Sequence, residues 1–169
     1  MNPGNSGRVL VHATAVIPGS ASLPFGASVE SAVLLLGDSG AGKSGIALRM
    51  IAMGARLLAD DQTALFVESG ELHAEAIAVA RGHIEIRGVG IVNIPVADRA
   101  PVLFCVRLTR EAPPRLPEPE FFHPDRLKLS VAPRLFRLNS CDASTPATIA
   151  AAAAAIQSNS LLSGDGTFF

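Results

Sequence analysis

GDSGAGKS (Gly37–Ser44) follows the uninterrupted apolar run AVLLL (Ala32–Leu36) and precedes a segment with apolar residues at helical spacing, Ile46, Leu48, Met50 and Ile51. The octad fits G-x-x-x-x-G-K-[ST], and a strand before it with a helix after it is the setting in which that pattern holds phosphate. Its glycines let successive backbone N–H groups turn inward around an anion, and the following helix aims its positive end at the same point. On this reading Gly37, Asp38, Ser39, Gly40, Ala41, Gly42, Lys43 and Ser44 bind the nucleotide. Lys43 reaches the β- and γ-phosphates and the Ser44 hydroxyl ligates Mg²⁺. The phosphoryl donor is legible here; the acceptor has to be sought elsewhere in the chain.

Outward from this loop the chain reads as short strands with few helices. A β-branched segment bounded by Gly and Pro, Arg8–Ile17, predicts one strand, followed by a Gly-, Ser- and Pro-rich loop over Pro18–Ser28. The helix after the phosphate loop is expected over Lys43–Met53, stopped by Gly54. Strands are expected at Arg56–Ala59 and Thr63–Glu68, with Ser69-Gly70 turning the chain into Glu71–Ile77. Val102–Leu108 is a further apolar strand, and five prolines between Ala112 and Pro124 predict a loop. Leu127–Leu138 is expected to supply one or two strands. Ser144-Thr145-Pro146 is a helix start for Ala147–Gln157. The expectation is one α/β catalytic domain over residues 1–157, with a mixed sheet richer in antiparallel pairs than a simple βα alternation, and a frayed tail over 158–169.

The 169 residues are 49% hydrophobic and 17% charged, with a formal net charge of −1. That charge gives no reason to expect nucleic acid or an anionic membrane as partner. The N-terminal residues lack the pattern of a secretory signal, and no run approaches the ~18 apolar residues of a membrane span. Cys105 and Cys141 have neither metal-site spacing nor a disulfide-rich context, which predicts reduced core or near-core thiols in a cytoplasmic protein. The apolar excess reflects either alanine content or surface buried between subunits.

Two further stretches carry chemistry. Asp60-Asp61 closes the run Leu57-Leu58-Ala59, so a strand leaving the core ends in two carboxylates that point in different directions. One can approach a metal while the other takes a proton from an attacking hydroxyl; the spacing does not say which. In IEIRGVGIVNI (Ile84–Ile94), Glu85 and Arg87 alternate with Ile84 and Ile86 on one strand face, and Gly88 and Gly90 then break the strand. A carboxylate and a guanidinium beside a nucleotide suit a metal ligand and a clamp on developing phosphoryl charge.

GDSGAGKS, a helix, ADD and then EIRGVGIVN, in that order, resemble the catalytic domain of HPr kinase/phosphorylase, over roughly Val9 to Asn93. That family phosphorylates a serine of HPr, the small phosphocarrier of the sugar phosphotransferase system, and removes the phosphate by phosphorolysis. The resemblance implies a P-loop kinase fold of the HPr kinase / PEP carboxykinase-like type, with ATP and Mg²⁺ as cofactors and an HPr-like phosphocarrier as partner. It implies Ser44 and Glu85 as metal ligands, and Asp60-Asp61 as the pair supplying the proton acceptor and donor. His12 matches a histidine at the phosphate site. Arg115 matches an arginine of the family's mobile loop, and Arg134 a basic segment tied to dephosphorylation. The family's usual form is nearly twice this long and hexameric. The resemblance is therefore to a short form holding the C-terminal catalytic domain, expected to be a homo-oligomer. The rival readings are a small-metabolite kinase on the same scaffold and a nucleotide-sensing module.

Overall fold

A computed structural model of the chain describes residues 7–19 and 30–161. Most of the loop expected over Pro18–Ser28, and residues 162–169 of the expected tail, lie outside these. Among the described residues, eleven strands and two α-helices follow one another in the order β1 (Val9–Val11), β2 (Ala13–Ile17), β3 (Ala32–Leu36), α1 (Lys43–Ala52), β4 (Arg56–Ala59), β5 (Thr63–Glu68), β6 (Glu71–Ala76), β7 (His83–Ile86), β8 (Gly90–Asn93), β9 (Arg99–Thr109), β10 (Glu120–Phe121), β11 (Arg134–Asn139) and α2 (Thr145–Gln157). Nine of the strands form one sheet, along β1-β5-β6-β9-β3-β2-β4, with β11 also on β9 and β10 on β11. Only β3–β9 and β9–β11 pair in parallel within it, so the sheet is mixed and mainly antiparallel. β7 and β8 form a separate hairpin.

β3 shows why its sequence is apolar without alternation. Val33 and Leu35 join a core with Ile46, Ala47 and Met50 of α1 and Ile149, Ala150, Ala153 and Ala154 of α2. Ala32, Leu34 and Leu36 face the other way, into a second core with Leu58, Leu65, Leu72 and Ala74. That second core is closed because the sheet curls until β5 and β6 lie over β2–β4. A strand covered on both faces reads as a near-continuous apolar run. α2 meets the sheet and α1 through Ile149 and the small residues Ala150, Ala153 and Ala154, which let the backbones approach closely.

Two expectations change. The single strand over Arg8–Ile17 is interrupted at His12, because Val9–Val11 pairs with β5 while Ala13–Ile17 pairs with β3 and β4. The chain switches partners at that residue, and His12 is left exposed at the break. Within the proline-rich stretch, Glu120–Phe121 makes a two-residue strand on β11, fixed by a bidentate Arg137–Glu120 pair at 2.8 and 2.9 Å. Leu127–Leu138 contributes to one strand, β11, starting at Arg134.

Cys105 is buried in the second core, whereas Cys141 is exposed in the turn before α2 rather than near the core. Burial pushes the Cys105 thiol well above its usual range, and a thiolate is the species that alkylates. In the native protein iodoacetamide should therefore modify Cys141 alone, and Cys105 only after denaturation; peptide mass mapping reads the difference. Leu35→Ala, at a fully buried site, should lower unfolding stability by about 2–5 kcal/mol in urea titration.

Candidate active site

The phosphate loop turns from β3 into α1 through Gly42, which precedes the helix at φ 96°, a left-handed conformation that a residue with a Cβ adopts only with strain. Lys43, the first helical residue, is buried, and its ammonium is fixed from three sides. It donates to the carbonyls of Gly37 at 2.7 Å and Asp38 at 3.0 Å, and meets His12 Nε2 at 2.9 Å. Burial lowers the Lys43 pKa from its ordinary value, while the charges of Asp61, Asp60 and Asp38 pull it back up.

The two aspartates at the end of β4 have separate environments. Asp60 is buried, and its Oδ1 accepts hydrogen bonds from the hydroxyls of Thr14 at 2.7 Å and Ser44 at 2.9 Å. Asp61 is exposed at φ 63°, inside a tight turn closed by Gln62 N–H to the Asp60 carbonyl at 2.7 Å. That backbone twist sends its side chain outward, away from the one before it. There its carboxylate stands 3.1 Å from His12 Nδ1, and its carbonyl 3.0 Å from the same nitrogen. These contacts require the hydrogen on Nδ1, which leaves Nε2 as acceptor for Lys43. Asp61, His12 and Lys43 thus form one connected chain of polar groups.

They open onto a cleft of about 440 Å³, lined by His12, Ser39, Gly40, Lys43, Ser44, Asp61, Glu85 and Arg87 among others. Glu85 and Arg87 arrive on the β7–β8 hairpin. Ile84 of that hairpin is buried in the helix-side core, which anchors it. Arg87 is not within the strand as its alternation with Glu85 implied: β7 ends at Ile86, and Arg87 opens the loop that Gly88 turns at φ 83°. Both side chains line the cleft all the same.

The donors present suit Mg²⁺. A hydroxyl (Ser44) hydrogen-bonded to a buried carboxylate (Asp60), with a second carboxylate (Glu85) on the cleft wall, is a sparse oxygen set. Among the described residues no group of three or more His, Cys, Asp or Glu gathers into a full metal cage. A sparse set is what Mg²⁺ uses when substrate phosphates and water complete its shell.

Residues 28–97 match the family described as HPr Serine kinase C-terminal domain. Among curated relatives, the HPr kinase/phosphorylase of Streptococcus mutans is 46% identical over 63 residues, 37% of this chain and 20% of the relative. That of Clostridium tetani is 41% identical over 63 residues, 37% of this chain and 21% of the relative. That of Streptococcus thermophilus is 38% identical over 84 residues, 45% of this chain and 27% of the relative. The matches thus span about a fifth to a quarter of the length of these relatives. The solved Hpr(Ser) kinase/phosphatase of Coxiella burnetii superposes with a TM-score of 0.62 at 25% identity, over 84% of this chain and 91% of that one. The fold is accordingly of the HPr kinase P-loop type.

His12 lies outside the residues that match the family model, yet the fold brings it to Lys43 and Asp61. Arg115 does not come in: it is exposed among the prolines and does not line the cleft. Arg134 is packed against the rings of Phe121 and Phe136, 5.6 and 5.5 Å from their centroids, and also stays out of the cleft. Burial lowers its pKa. Sequence reasoning missed Thr14, whose one signal is being a hydroxyl in an otherwise apolar strand. Thr14→Val keeps the shape and removes a donor to a buried carboxylate. It should cost about 1.5–3 kcal/mol of unfolding stability, and an unchanged denaturation midpoint would contradict the bond's importance.

Proposed function

We propose that the chain is an ATP- and Mg²⁺-dependent kinase that phosphorylates a serine of an HPr-like phosphocarrier. The observation that carries this reading is the Asp61 carboxylate, which faces the cleft beside the Lys43 ammonium while Asp60 is held below by two hydroxyls. A sensor of nucleotide would have no use for a carboxylate base at the phosphate site. The choice of acceptor follows from the similarity to HPr kinase/phosphorylases. A macromolecular one is supported by the exposed apolar residues Val89 and Ile91, which stand on the hairpin that brings Glu85 and Arg87 to the cleft. Ile91 pairs across the hairpin with Glu85, on the same face as the cleft wall. A small-metabolite kinase would instead need an enclosed pocket.

In the forward reaction the serine oxygen attacks the γ-phosphorus in line as the bond to the β-phosphate oxygen breaks, and Asp61 accepts the serine proton. Lys43 and Arg87 face the charge that accumulates on the transferring group. His12 orients Asp61 through Nδ1 and Lys43 through Nε2. Ser44, Asp60 and Glu85 would hold Mg²⁺, which when bound neutralises charge on the phosphate oxygens. With inorganic phosphate as nucleophile the same groups serve in reverse. A phosphate oxygen attacks the phosphoserine, pyrophosphate forms, and Asp61 returns the proton to the departing serine oxygen.

The test is intact-mass analysis of HPr incubated with the protein, ATP and Mg²⁺. One added phosphate on a serine is expected. Asp61→Asn should lower kcat about 10²–10⁴-fold and leave nucleotide Kd nearly unchanged. Asp60→Asn should weaken Mg²⁺-dependent nucleotide binding as well. Full activity in the Asp61 variant would remove the base from this scheme. ATP binding without any transfer to HPr would favour the nucleotide-sensing module.

A further inference from the structure

Thr14 is the one polar residue of β2, a strand buried along its whole length, and it is itself wholly buried. A hydroxyl at such a depth needs a partner. The buried Thr63 finds one in the Ala13 carbonyl at 2.9 Å, a bond that joins two strands and does nothing further. Thr14 donates instead to a carboxylate. Ala15 of β2 stands opposite Ala59 of β4, so Thr14 and Asp60 are the next residues beyond that pair. The Thr14 hydroxyl reaches Asp60 Oδ1 at 2.7 Å, and the Ser44 hydroxyl reaches the same oxygen at 2.9 Å from the first turn of α1.

An ionised carboxylate only accepts, and each of its oxygens has about two lone-pair sites. The two hydroxyls therefore fill Oδ1, which leaves Oδ2 as the oxygen Asp60 can offer a cation. The single hydrogen of Ser44 is spent on Asp60, so the lone pairs of that hydroxyl face away from the carboxylate. Valine has nearly the shape of threonine, so packing alone does not call for the Thr14 hydroxyl. What the hydroxyl adds is the closure of one carboxylate oxygen. Cations differ in what they make of that. Mg²⁺ accepts a few single carboxylate oxygens in a strict octahedron completed by phosphates and water, whereas Ca²⁺ gathers about six to eight oxygens and readily grips both oxygens of one carboxylate.

We infer that Thr14 is a positioning residue that limits Asp60 to one oxygen at the cation and so favours Mg²⁺ over Ca²⁺ as the ion accompanying the nucleotide. This rests on the reading of Ser44, Asp60 and Glu85 as cation ligands proposed above. Thr14 acts through Asp60 alone. Loss of its hydroxyl reopens a lone pair on Oδ1, frees the carboxylate to turn, and lets the larger ion take both oxygens.

Calorimetric titration with ATP in Mg²⁺, in Ca²⁺ and in EDTA tests this on the wild-type protein, Thr14→Val and Thr14→Ser. The wild type should bind ATP more tightly with Mg²⁺ than with Ca²⁺. Thr14→Val should weaken binding in Mg²⁺ about 10–100-fold, leave binding in EDTA unchanged and lose the preference for Mg²⁺. Thr14→Ser retains the donor and should keep the wild-type values. Equal wild-type affinity in Mg²⁺ and Ca²⁺ would overturn the inference without any variant. Unchanged binding in Thr14→Val would overturn it, as would equal weakening in all three media, the mark of a residue that merely supports the fold. A Thr14→Ser protein that behaves like Thr14→Val would do the same. Wild-type affinity as high in EDTA as in Mg²⁺ would remove the cation reading, and the inference with it. Failure of the wild type to bind ATP in any medium would remove the phosphate-loop reading beneath both.

Discussion

The buried carboxylate of Asp60 holds three elements in register. Its Oδ1 accepts the Thr14 hydroxyl from β2 and the Ser44 hydroxyl from the first turn of α1, while the residue itself terminates β4. A carboxylate without partners at this depth would be costly, and two hydroxyl donors make it tolerable. Because β2, β4 and α1 meet at this atom, the phosphate loop has a fixed height above the sheet edge. Asp61, the next residue, has a fixed place from which its side chain leaves.

The consequences spread along short covalent paths. Asp61 can reach the cleft because its backbone takes a left-handed turn immediately after Asp60, and aspartate is among the few side chains that tolerate one. Its carboxylate then engages His12, which sits where the chain leaves β5 for β3 and β4. The same imidazole bears on Lys43. A histidine at a break between strands is free of ladder geometry on both sides, which is what lets one ring contact a strand end and a helix start together.

What could be read from the sequence was what local chemistry determines. The phosphate loop, β3 and α1 declare themselves because glycine spacing and apolar periodicity are decided within a dozen residues. The hairpin of β5 and β6 likewise follows from Ser69-Gly70. Asp60 and Asp61, identical in type, could not be told apart, because what separates them is Thr14, 46 residues away, and a backbone twist. The break at His12 was hidden for a similar reason: β-branched residues continue through it, and only the partners change. β10 escaped notice because two residues are too few to carry a period, and its partner lies beyond the prolines. His12 joined the site by resemblance alone, since a lone histidine in a strand has no spacing to argue from.

The hairpin of β7 and β8 has a ladder of its own, outside the main sheet, and is keyed to the core through Ile84. The cleft is therefore assembled from two separately hydrogen-bonded units: the sheet with α1, which carries Lys43, Ser44 and Asp61, and a hairpin that packs Ile84, Ile86 and Val92 against the helix-side core and so presents Glu85 and Arg87 to the same opening. The candidate site thus depends on side-chain packing as well as on the main sheet's ladder, because among the described residues no strand hydrogen bonds tie the two units together.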